Sequence, residues 1–442
     1  MLRRENASPD AFSFEDNSMT DRWEDINGRA IEHLRHERYE EALQEALVAA
    51  ACAESEFGAV HPNVAVSYHN LGEIHRLLGS RGQAETSFGK SLSLYEAING
   101  PDSGEVADGL VNLAALDLEQ GRLDQAEPKL RRALAIAEKS DGPTSAAFAE
   151  VLWHLTEIHL ARGEYAVAEP LLNRVLDIFS DVLPGDHPLL AGALERLAEL
   201  YAVTGKAERT EYLLKEAEKI YVTSLGEEHP DLARCRNALA EFFLNTGKPG
   251  NAAPLLEKSL KVRERAFGAG HPAVAQSYNN LGILHSLRGE PLLALKQHGR
   301  ALAIREKAFG KDHPAITQSL DNLAAICREQ GRFDEAEQYL KRSLAIWEKA
   351  EGQGHPATAQ CSHNLGTLYL LAGRYEEAEK VLLTARKILE SGPEAGRMHL
   401  LIVFETLATL YQKMGRMAES SEYAARVHKI RKPEQMRRQG NG

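Results

Sequence analysis

Residues 271–312 read HPAVAQSYNNLGILHSLRGEPLLALKQHGRALAIREKAFGKD, and their main features return every 42 residues along the chain. The opening dipeptide His-Pro recurs at residues 61, 187, 229, 313 and 355, always at a multiple of that spacing and without an insertion. A gapless period of this length predicts one array of stacked supersecondary units instead of several separate globular domains.

Two more positions keep the same frame through all nine periods of the chain. One holds a leucine, at Leu71, Leu113, Leu155, Leu197, Leu239, Leu281, Leu323, Leu365 and Leu407. The other holds a glycine, at Gly79, Gly121, Gly163, Gly205, Gly247, Gly289, Gly331, Gly373 and Gly415. The periods themselves begin near His61, Ser103, Ser145, His187, His229, His271, His313, His355 and Arg397. Such strict spacing indicates that most of the 442 residues form a single elongated repeat region.

Each period predicts a helical hairpin, whose two helices we call helix A and helix B. Apolar side chains lie three or four residues apart across 274–284, and Pro272 suits the first turn of that helix A. Gly289 ends helix A, because glycine readily adopts the left-handed backbone found at helix C-termini. A second apolar periodicity across 293–304 predicts helix B. Apolar residues remain on both sides of the hairpin, so it buries them only by stacking on its neighbours.

The composition supports an all-α fold and restricts the function. Only 6% of residues are aromatic, while alanine, leucine and glutamate are frequent, which favours helices over strands. The formal net charge of −12 argues against nucleic acid as a partner, because phosphate binding needs a basic surface. Four widely spaced cysteines suggest neither a disulfide framework nor a CxxC metal site. No apolar stretch suits a membrane span or a secretion signal, so we expect a cytoplasmic protein.

The side chains that recur in every period also resemble a known repeat. In residues 271–312 these are Tyr278, Leu281, Gly282, His285, Gly289, Ala294 and Ala301. The pattern resembles the tetratricopeptide repeat, a helical hairpin of about 34 residues. The longer unit found here, with its DHP and REKAFG stretches, is similar to the kinesin light chain type of this repeat. The resemblance implies a right-handed superhelical α-solenoid that binds proteins or peptides, with the A helices lining its concave groove.

This frame predicts four regions and ten hairpins. We expect residues 1–19 to be a disordered N-terminal segment and residues 20–60 to be a degenerate capping repeat. Residues 61–431 hold nine repeats of 42 residues, and residues 432–442 are expected to be a disordered basic tail. No heptad pattern precedes the repeats, so the resemblance does not extend to the coiled coil of a kinesin light chain.

Three chemical readings of the sequence fail on physical grounds. Residues 84–91, AETSFGKS, match a relaxed phosphate-loop pattern, but they align with the interior of helix B and not with a loop after a strand. The histidines of the His-Pro dipeptides lie one repeat apart, too far to share a metal, so we expect them to help start each helix A. No catalytic constellation is recognisable. The sequence therefore predicts a protein that is not an enzyme and that uses neither cofactor nor metal.

The candidate binding residues are polar side chains at inward positions of helix A. They are Gln276, Asn279 and Asn280; Gln318, Asp321 and Asn322; Gln360, His363 and Asn364; and, earlier in the chain, Asn70 and Asn112. Amide side chains both donate and accept hydrogen bonds, so a row of them can pair with the backbone of an extended peptide. In peptide-binding repeats that this chain resembles, the asparagine before Leu-Gly has this role. The alternative is that each asparagine bonds to the neighbouring hairpin and serves packing.

The middle periods depart from this row of amides. His154, Arg196 and Ala238 stand where other periods have asparagine, which indicates either two separate sub-sites or a stretch that does not bind peptide backbone. Acidic residues prevail at the inward positions, which favours a neutral or basic ligand. The acidic set is Glu73, Asp108, Glu150, Glu157, Glu195, Glu199, Glu241, Asp321 and Glu405, against Arg76, Arg196, Arg234, Arg328 and Lys413.

Two functions fit these observations. The first is a scaffold or adaptor that holds a peptide or protein segment in the concave groove. The second is a regulatory sensor, in which a small peptide or effector changes the curvature of the solenoid. Neither nucleic acid nor membrane is an expected partner, and self-association through the end repeats stays open.

Overall fold

The computed structural model describes residues 17–36, 38–391 and 397–439. Within these ranges the chain is helical apart from short turns, and it contains no strand. The predicted disordered ends lie partly outside the described residues, which omit 1–16 and 440–442. Inside them, the first helix begins at Asn17 and the last one continues to Gln439, so helix extends into both of those predicted segments.

Twenty α-helices form consecutive antiparallel pairs in the described part of the chain, and they divide into two compact units, Met1–Ser224 and Leu225–Gly442. The first unit contains α1 (Asn17–Arg35), α2 (Tyr39–Phe57), α3 (Pro62–Leu77), α4 (Arg81–Asn99), α5 (Gly104–Glu119), α6 (Leu123–Ser140), α7 (Ala146–Ala161), α8 (Tyr165–Val182), α9 (Pro188–Val203) and α10 (Ala207–Leu225) except for its last residue. The second contains α11 (Pro230–Asn245), α12 (Pro249–Phe267), α13 (Pro272–Leu287), α14 (Pro291–Phe309), α15 (Thr317–Glu329), α16 (Phe333–Glu351), α17 (Pro356–Leu371), α18 (Tyr375–Ser391), α19 (Arg397–Lys413) and α20 (Met417–Gln439). Odd-numbered helices are the predicted A helices, and even-numbered helices are the B helices. The predicted all-α fold of stacked hairpins is confirmed.

Each His-Pro dipeptide starts an A helix, as the sequence predicted. The histidine is the N-cap residue, and its Nδ1 accepts a hydrogen bond from the backbone N–H two residues further on, at 3.1–3.2 Å. This bond satisfies one of the amide groups that a helix leaves unpaired at its N-terminus. In α7 the same position is Ser145, whose Oγ accepts from the backbone N–H of Phe148. At His313 the cap is followed by a 3-10 turn, Pro314–Ile316, before α15.

Four of these capping histidines also join one hairpin to the next. Their rings stack on an aromatic side chain at the end of the preceding B helix, with centroids 4.6–5.7 Å apart. The pairs are His61 with Phe57, His271 with Phe267, His313 with Phe309, and His355 with Trp347. The imidazole therefore has two structural tasks, capping one helix and packing on another.

The glycine that the frame places after each A helix adopts positive φ in all nine periods. The φ values lie between 69° and 79°, a region in which a side chain is strained. The predicted helix-ending role of these glycines is confirmed.

Close packing inside a hairpin depends on a small residue of helix A that faces a large residue of helix B. A Cβ at Gly72 would lie 2.5 Å from the ring of Phe88, and one at Gly282 would lie 2.5 Å from the ring of His298. Ala84 and Ser91, the ends of the phosphate-loop pattern, are buried inside α4, where the Ser91 Oγ donates to the Ala65 carbonyl. This pattern is therefore part of a helix. Among the described helices, none combines the length and apolar character that a bilayer crossing requires.

Candidate functional site

Several successive A helices contact each other within each unit. In the first unit α1 contacts α3 and α5 contacts α7, and in the second α11 contacts α13 and α17 contacts α19. Among the described residues, no pair of successive B helices packs as extensively. In these four pairs the two A helices lie side by side.

Hydrogen bonds join these inward positions from one repeat to the next. The Nδ2 of Asn322 donates to the Oδ1 of Asn279 at 2.8 Å, across 43 residues of sequence. The same step links Asn70 to Asn27 at 2.8 Å and Asn112 to His69 at 3.4 Å. His363 and Thr406 form the equivalent pair at 3.0 Å. In these four pairs the side chain before the invariant leucine binds the neighbouring A helix, which is the packing role that the sequence left open.

The predicted site residues differ sharply in their exposure. Asn70, Asn279 and Asn280 are at most 4% exposed and offer almost no surface to a ligand. Half-buried members are Gln276, Gln360, Asn112, Asp321, Asn322, His363 and Asn364, and Gln318 is exposed. A hydrogen bond joins the predicted residues of α13 and α15. Those of α17 lie in the same unit, while Asn70 and Asn112 belong to the first unit.

Within the second unit, glutamine and asparagine pair one turn apart on the same helix. The Nε2 of Gln276 donates to the Oδ1 of Asn280 at 3.4 Å, and the Nε2 of Gln360 donates to the Oδ1 of Asn364 at 3.1 Å. The pairing fixes the orientation of both amides, because it holds the NH2 group of the glutamine and the oxygen of the asparagine. The A-helix face therefore carries an ordered set of amides.

Arg305 lies beneath this set and was missed by the sequence analysis. It extends from helix α14, and its NH2 group donates to the Oε1 atoms of Gln276 and Gln318, both at 2.9 Å. Its NH1 group donates to the Oγ of Ser319 at 2.8 Å. Arg305 thereby connects α13 and α15. Burial lowers the pKa of its guanidinium from the ordinary value.

Arg263 occupies the same position one repeat earlier, on α12. Its NH1 donates to the Ala273 carbonyl at 2.9 Å and to the Oγ of Ser277 at 3.0 Å. Burial, reinforced by the positive charge of Arg234, lowers the pKa of Arg263 to about 10. The sequence did contain an indication of both arginines, because several other repeats have an aromatic side chain at the corresponding position. These are Tyr95, Phe179, Tyr221 and Trp347.

His298 and Asp321 complete the buried polar cluster of this unit. The Nδ1 of His298 lies 3.1 Å from the Oδ1 of Asn279. Burial, together with the charge of Arg305, lowers the pKa of His298 to about 4, so the ring is neutral at neutral pH. Burial raises the pKa of Asp321 to about 6, although a hydrogen bond with Ser343 opposes the shift.

Many of the acidic inward residues are paired with arginines. Glu73 bonds to Arg76 at 3.0 Å, and Arg196 bonds both Glu157 at 3.0 Å and Glu199 at 2.8 Å. An ion pair neutralises much of the field that a free carboxylate would present to a ligand. In the described part of the chain, no group of three or more histidine, cysteine or carboxylate side chains could hold a metal ion.

The tetratricopeptide repeat family profile matches residues 27–97, 105–181, 236–307, 289–349 and 315–391. A second tetratricopeptide repeat profile matches residues 190–231, so the matches cover well over half of the chain. The chain is a tetratricopeptide repeat protein. Among curated proteins, no sequence matches it.

Three solved structures illustrate what this tetratricopeptide repeat protein is similar to. A putative kinesin light chain from Podosopora anserina with nearly identical TPR-like repeats is 26% identical; the match covers 46% of this chain and 95% of that one, with a TM-score of 0.41. A Rap protein solved with competence and sporulation factor is 15% identical over 84% of this chain and 99% of that one, with a TM-score of 0.56. Aspartyl phosphate phosphatase F from Bacillus subtilis is 16% identical over 83% and 94%, with a TM-score of 0.52. At such identities the latter two show only a similar overall fold.

Proposed function

We propose that the protein is a non-enzymatic scaffold or adaptor that binds a peptide or protein segment along the A-helix face of its second unit, in the groove predicted to be concave. The observation that carries this proposal is the ordered set of amides on three successive A helices, α13, α15 and α17. Tetratricopeptide repeats are interaction modules, and a Rap protein with this fold was solved with a bound factor, which supports a peptide partner. A cytoplasmic location stays part of the proposal.

The exposure of the amides indicates which of them can contact a ligand. Gln318 is exposed, and its Oε1 is held by Arg305, which leaves the Nε2 hydrogens for a ligand carbonyl. Asn322, on α15, and Asn364, on α17, are half-buried. A main-chain segment lying across these helices would meet one amide group at each repeat, as extended peptides do on other repeat surfaces. The buried Asn279 and Asn280 would instead keep the surface in shape.

Peptides selected on the full chain from a random display library test this proposal. Gln318→Ala and Asn364→Ala should each weaken the selected peptides by about tenfold, the loss expected for a hydrogen bond left unmade in an interface. The matched control is Gln338→Ala, which removes an exposed amide from the B helix α16. Calorimetry measures the dissociation constants of the selected peptides for wild type, the two variants and the control. Equal affinities for wild type and both A-helix variants would refute the proposed face.

The alternative function, a sensor, has one observation in its favour. Arg305 links two hairpins through neutral side chains only, so a ligand that engages it would alter the junction between α13 and α15. Small-angle X-ray scattering separates the two functions. Compaction or expansion on adding a selected peptide favours the sensor, and an unchanged scattering profile favours the adaptor.

A further inference from the structure

Ion pairs link successive hairpins along the turn edge, which is formed by the last turn of each helix A, the glycine that ends it and the first two turns of helix B. In these pairs, the residue after the glycine binds a glutamate that lies 37 residues earlier, on the B helix of the preceding hairpin. They join Arg122 to Glu85, Lys206 to Glu169, Arg374 to Glu337 and Arg416 to Glu379. The turn edge of most hairpins is therefore charged and tied to its neighbour.

The hairpin of α13 and α14 interrupts this series. Leu295 stands where other B helices hold the glutamate, 37 residues before Arg332. Arg332 forms its ion pair with Glu335 of α16 instead. An exposed ion pair contributes little, so its loss alone costs the stack little. The exchange of a glutamate for a half-buried leucine does, however, make this part of the turn edge more apolar.

Exposed leucines concentrate on the same turn edge. Leu287 is the last residue of α13, and Leu292 and Leu293 lie in the first turn of α14. Leu292 is 76% exposed, more than any other large apolar residue of the described chain. Four other repeats have an acid at its register, namely Asp124, Glu208, Asp334 and Glu376. Single exposed leucines are ordinary, but a group at one edge indicates a contact surface.

A surface pocket adjoins these leucines, between the turn after α13 and the end of α15. Its volume is about 250 Å³, and it is lined by Ser286, Gly289, Pro291, Ile326, Glu329 and Gln330. Sites for small molecules usually exceed about 300 Å³, so the pocket suits a side chain of a protein better than a free ligand. The same turn edge thus carries both a protruding apolar side chain, Leu292, and a place for one.

Opposite charges flank this pocket. Arg288 follows Leu287 on the α13 side, and Glu329 lies on the α15 side. Both are exposed, and neither forms an ion pair with another residue that the structure describes. A two-fold rotation exchanges the two sides, so it would bring Arg288 of one copy to Glu329 of another, and the reverse. The surface is therefore complementary to itself in charge as well as in shape.

We propose that the protein forms a two-fold symmetric homodimer through this turn edge, in which Leu292 of each copy enters the pocket of the other. A second copy is the occupant because one surface supplies both halves of the contact. The contact closes after two copies, since the leucine and the pocket adjoin each other. Such a contact is small, so the dimer is weak and forms at about ten micromolar or above. Self-association then involves an inner repeat and not the end repeats.

Sedimentation equilibrium of the full chain tests the proposal. Between about 5 and 500 micromolar, the chain should show a reversible equilibrium of monomer and dimer. Leu292→Asp introduces the residue that Asp334 provides in the next repeat, so it should fold with the helical circular dichroism of wild type. It should weaken the dimer by about tenfold, because a carboxylate would enter an apolar contact. A chain that stays monomeric throughout, or that grows beyond a dimer, would overturn the proposal.

A matched pair of substitutions locates the contact. Leu287→Gln and Leu371→Gln make the same change at the last residue of an A helix, and both leucines are exposed. Only the first lies at the proposed surface, so only Leu287→Gln should weaken the dimer. Equal effects of the two variants on the dissociation constant would contradict the location.

Charge reversal tests the two-fold arrangement. Arg288→Glu and Glu329→Arg should each weaken the dimer by about tenfold, because each places like charges opposite each other twice. An equimolar mixture of the two variants should dimerise as wild type does, since the mixed pair restores opposite charges at both contacts. A mixture no more dimeric than either variant alone would refute the arrangement.

Discussion

His298 fills a space in its hairpin that a leucine fills in most other repeats, such as Leu130 and Leu340. The imidazole bonds to Asn279 and presses on the backbone at Gly282, where the structure has no room for a Cβ. A histidine in place of the usual leucine therefore makes the packing of this hairpin depend on a titratable group, on the Asn279 amide and on the absence of a side chain at Gly282. His298 is thus a single residue at which one repeat departs from the pattern of the others.

The histidine makes stability depend on pH. Its folded pKa of about 4 lies below the ordinary 6.5, so the folded state disfavours the proton. The stabilisation is complete above pH 6.5 and is lost as the pH falls towards 4, by on the order of 3 kcal/mol at full protonation. Unfolding of His298→Leu in urea should show a smaller loss across this range than wild type. Asp321, whose raised pKa opposes the trend, is present in both proteins and cancels in the comparison. Identical pH dependence would refute the role given to His298.

The contact between Gly282 and His298 can be tested by a double-mutant cycle. Gly282→Ala alone should destabilise the protein by roughly 1–3 kcal/mol, because the new Cβ would lie 2.5 Å from the imidazole. In the His298→Leu background the cost should be smaller, since Ala114 with Leu130 shows that this pair fits. Urea unfolding of the four proteins measures the coupling. Additive effects would show that the two positions do not interact as described.

At the scale of the helix, the His-Pro dipeptide is a starting device made of three parts. The imidazole caps the helix, the proline occupies the first turn, and in four cases the ring packs on the preceding B helix. Ser145 achieves the cap without the ring. Capping and stacking are therefore separate contributions, and a substitution of the histidine can remove one of them and keep the other.

His271 is a suitable place to measure the two contributions. His271→Ala removes cap and ring, and His271→Ser removes the ring but keeps a capping oxygen, as Ser145 does in α7. The alanine variant should be less stable than the serine variant by about 1 kcal/mol, the usual contribution of an N-cap. The difference in unfolding free energy between the two variants is the measurement. Equal stability would mean that the bond to the Ala273 amide contributes nothing.

At the scale of the whole chain, the period of 42 residues was sufficient to predict the hairpins, their starts at His-Pro and their ends at glycine. Each of these follows from local backbone chemistry, which repeats with the sequence. The candidate site was less predictable, because helical periodicity gives the face of a residue and not its depth. Asn279 and Gln318 both occupy inward positions, yet one is fully buried and the other exposed.

The charge of the groove illustrates the same limit. The sequence count treated Glu157, Glu199 and Arg196 as separate charges, whereas in the structure Arg196 forms ion pairs with both carboxylates. Arg263 and Arg305 escaped notice because they lie on B helices, at a register that packing explains in other repeats. Only the spatial structure shows that these two charges are buried and unbalanced.

Photo-crosslinking tests the binding face most directly. A selected peptide carrying a photoreactive group, irradiated on the full chain, should attach to residues of α13, α15 and α17, located by mass spectrometry. Excess unlabelled peptide should abolish these cross-links. Attachment confined to the B helices α14, α16 and α18, or spread over the chain without competition, would contradict the claim that the A-helix face of the second unit binds the partner.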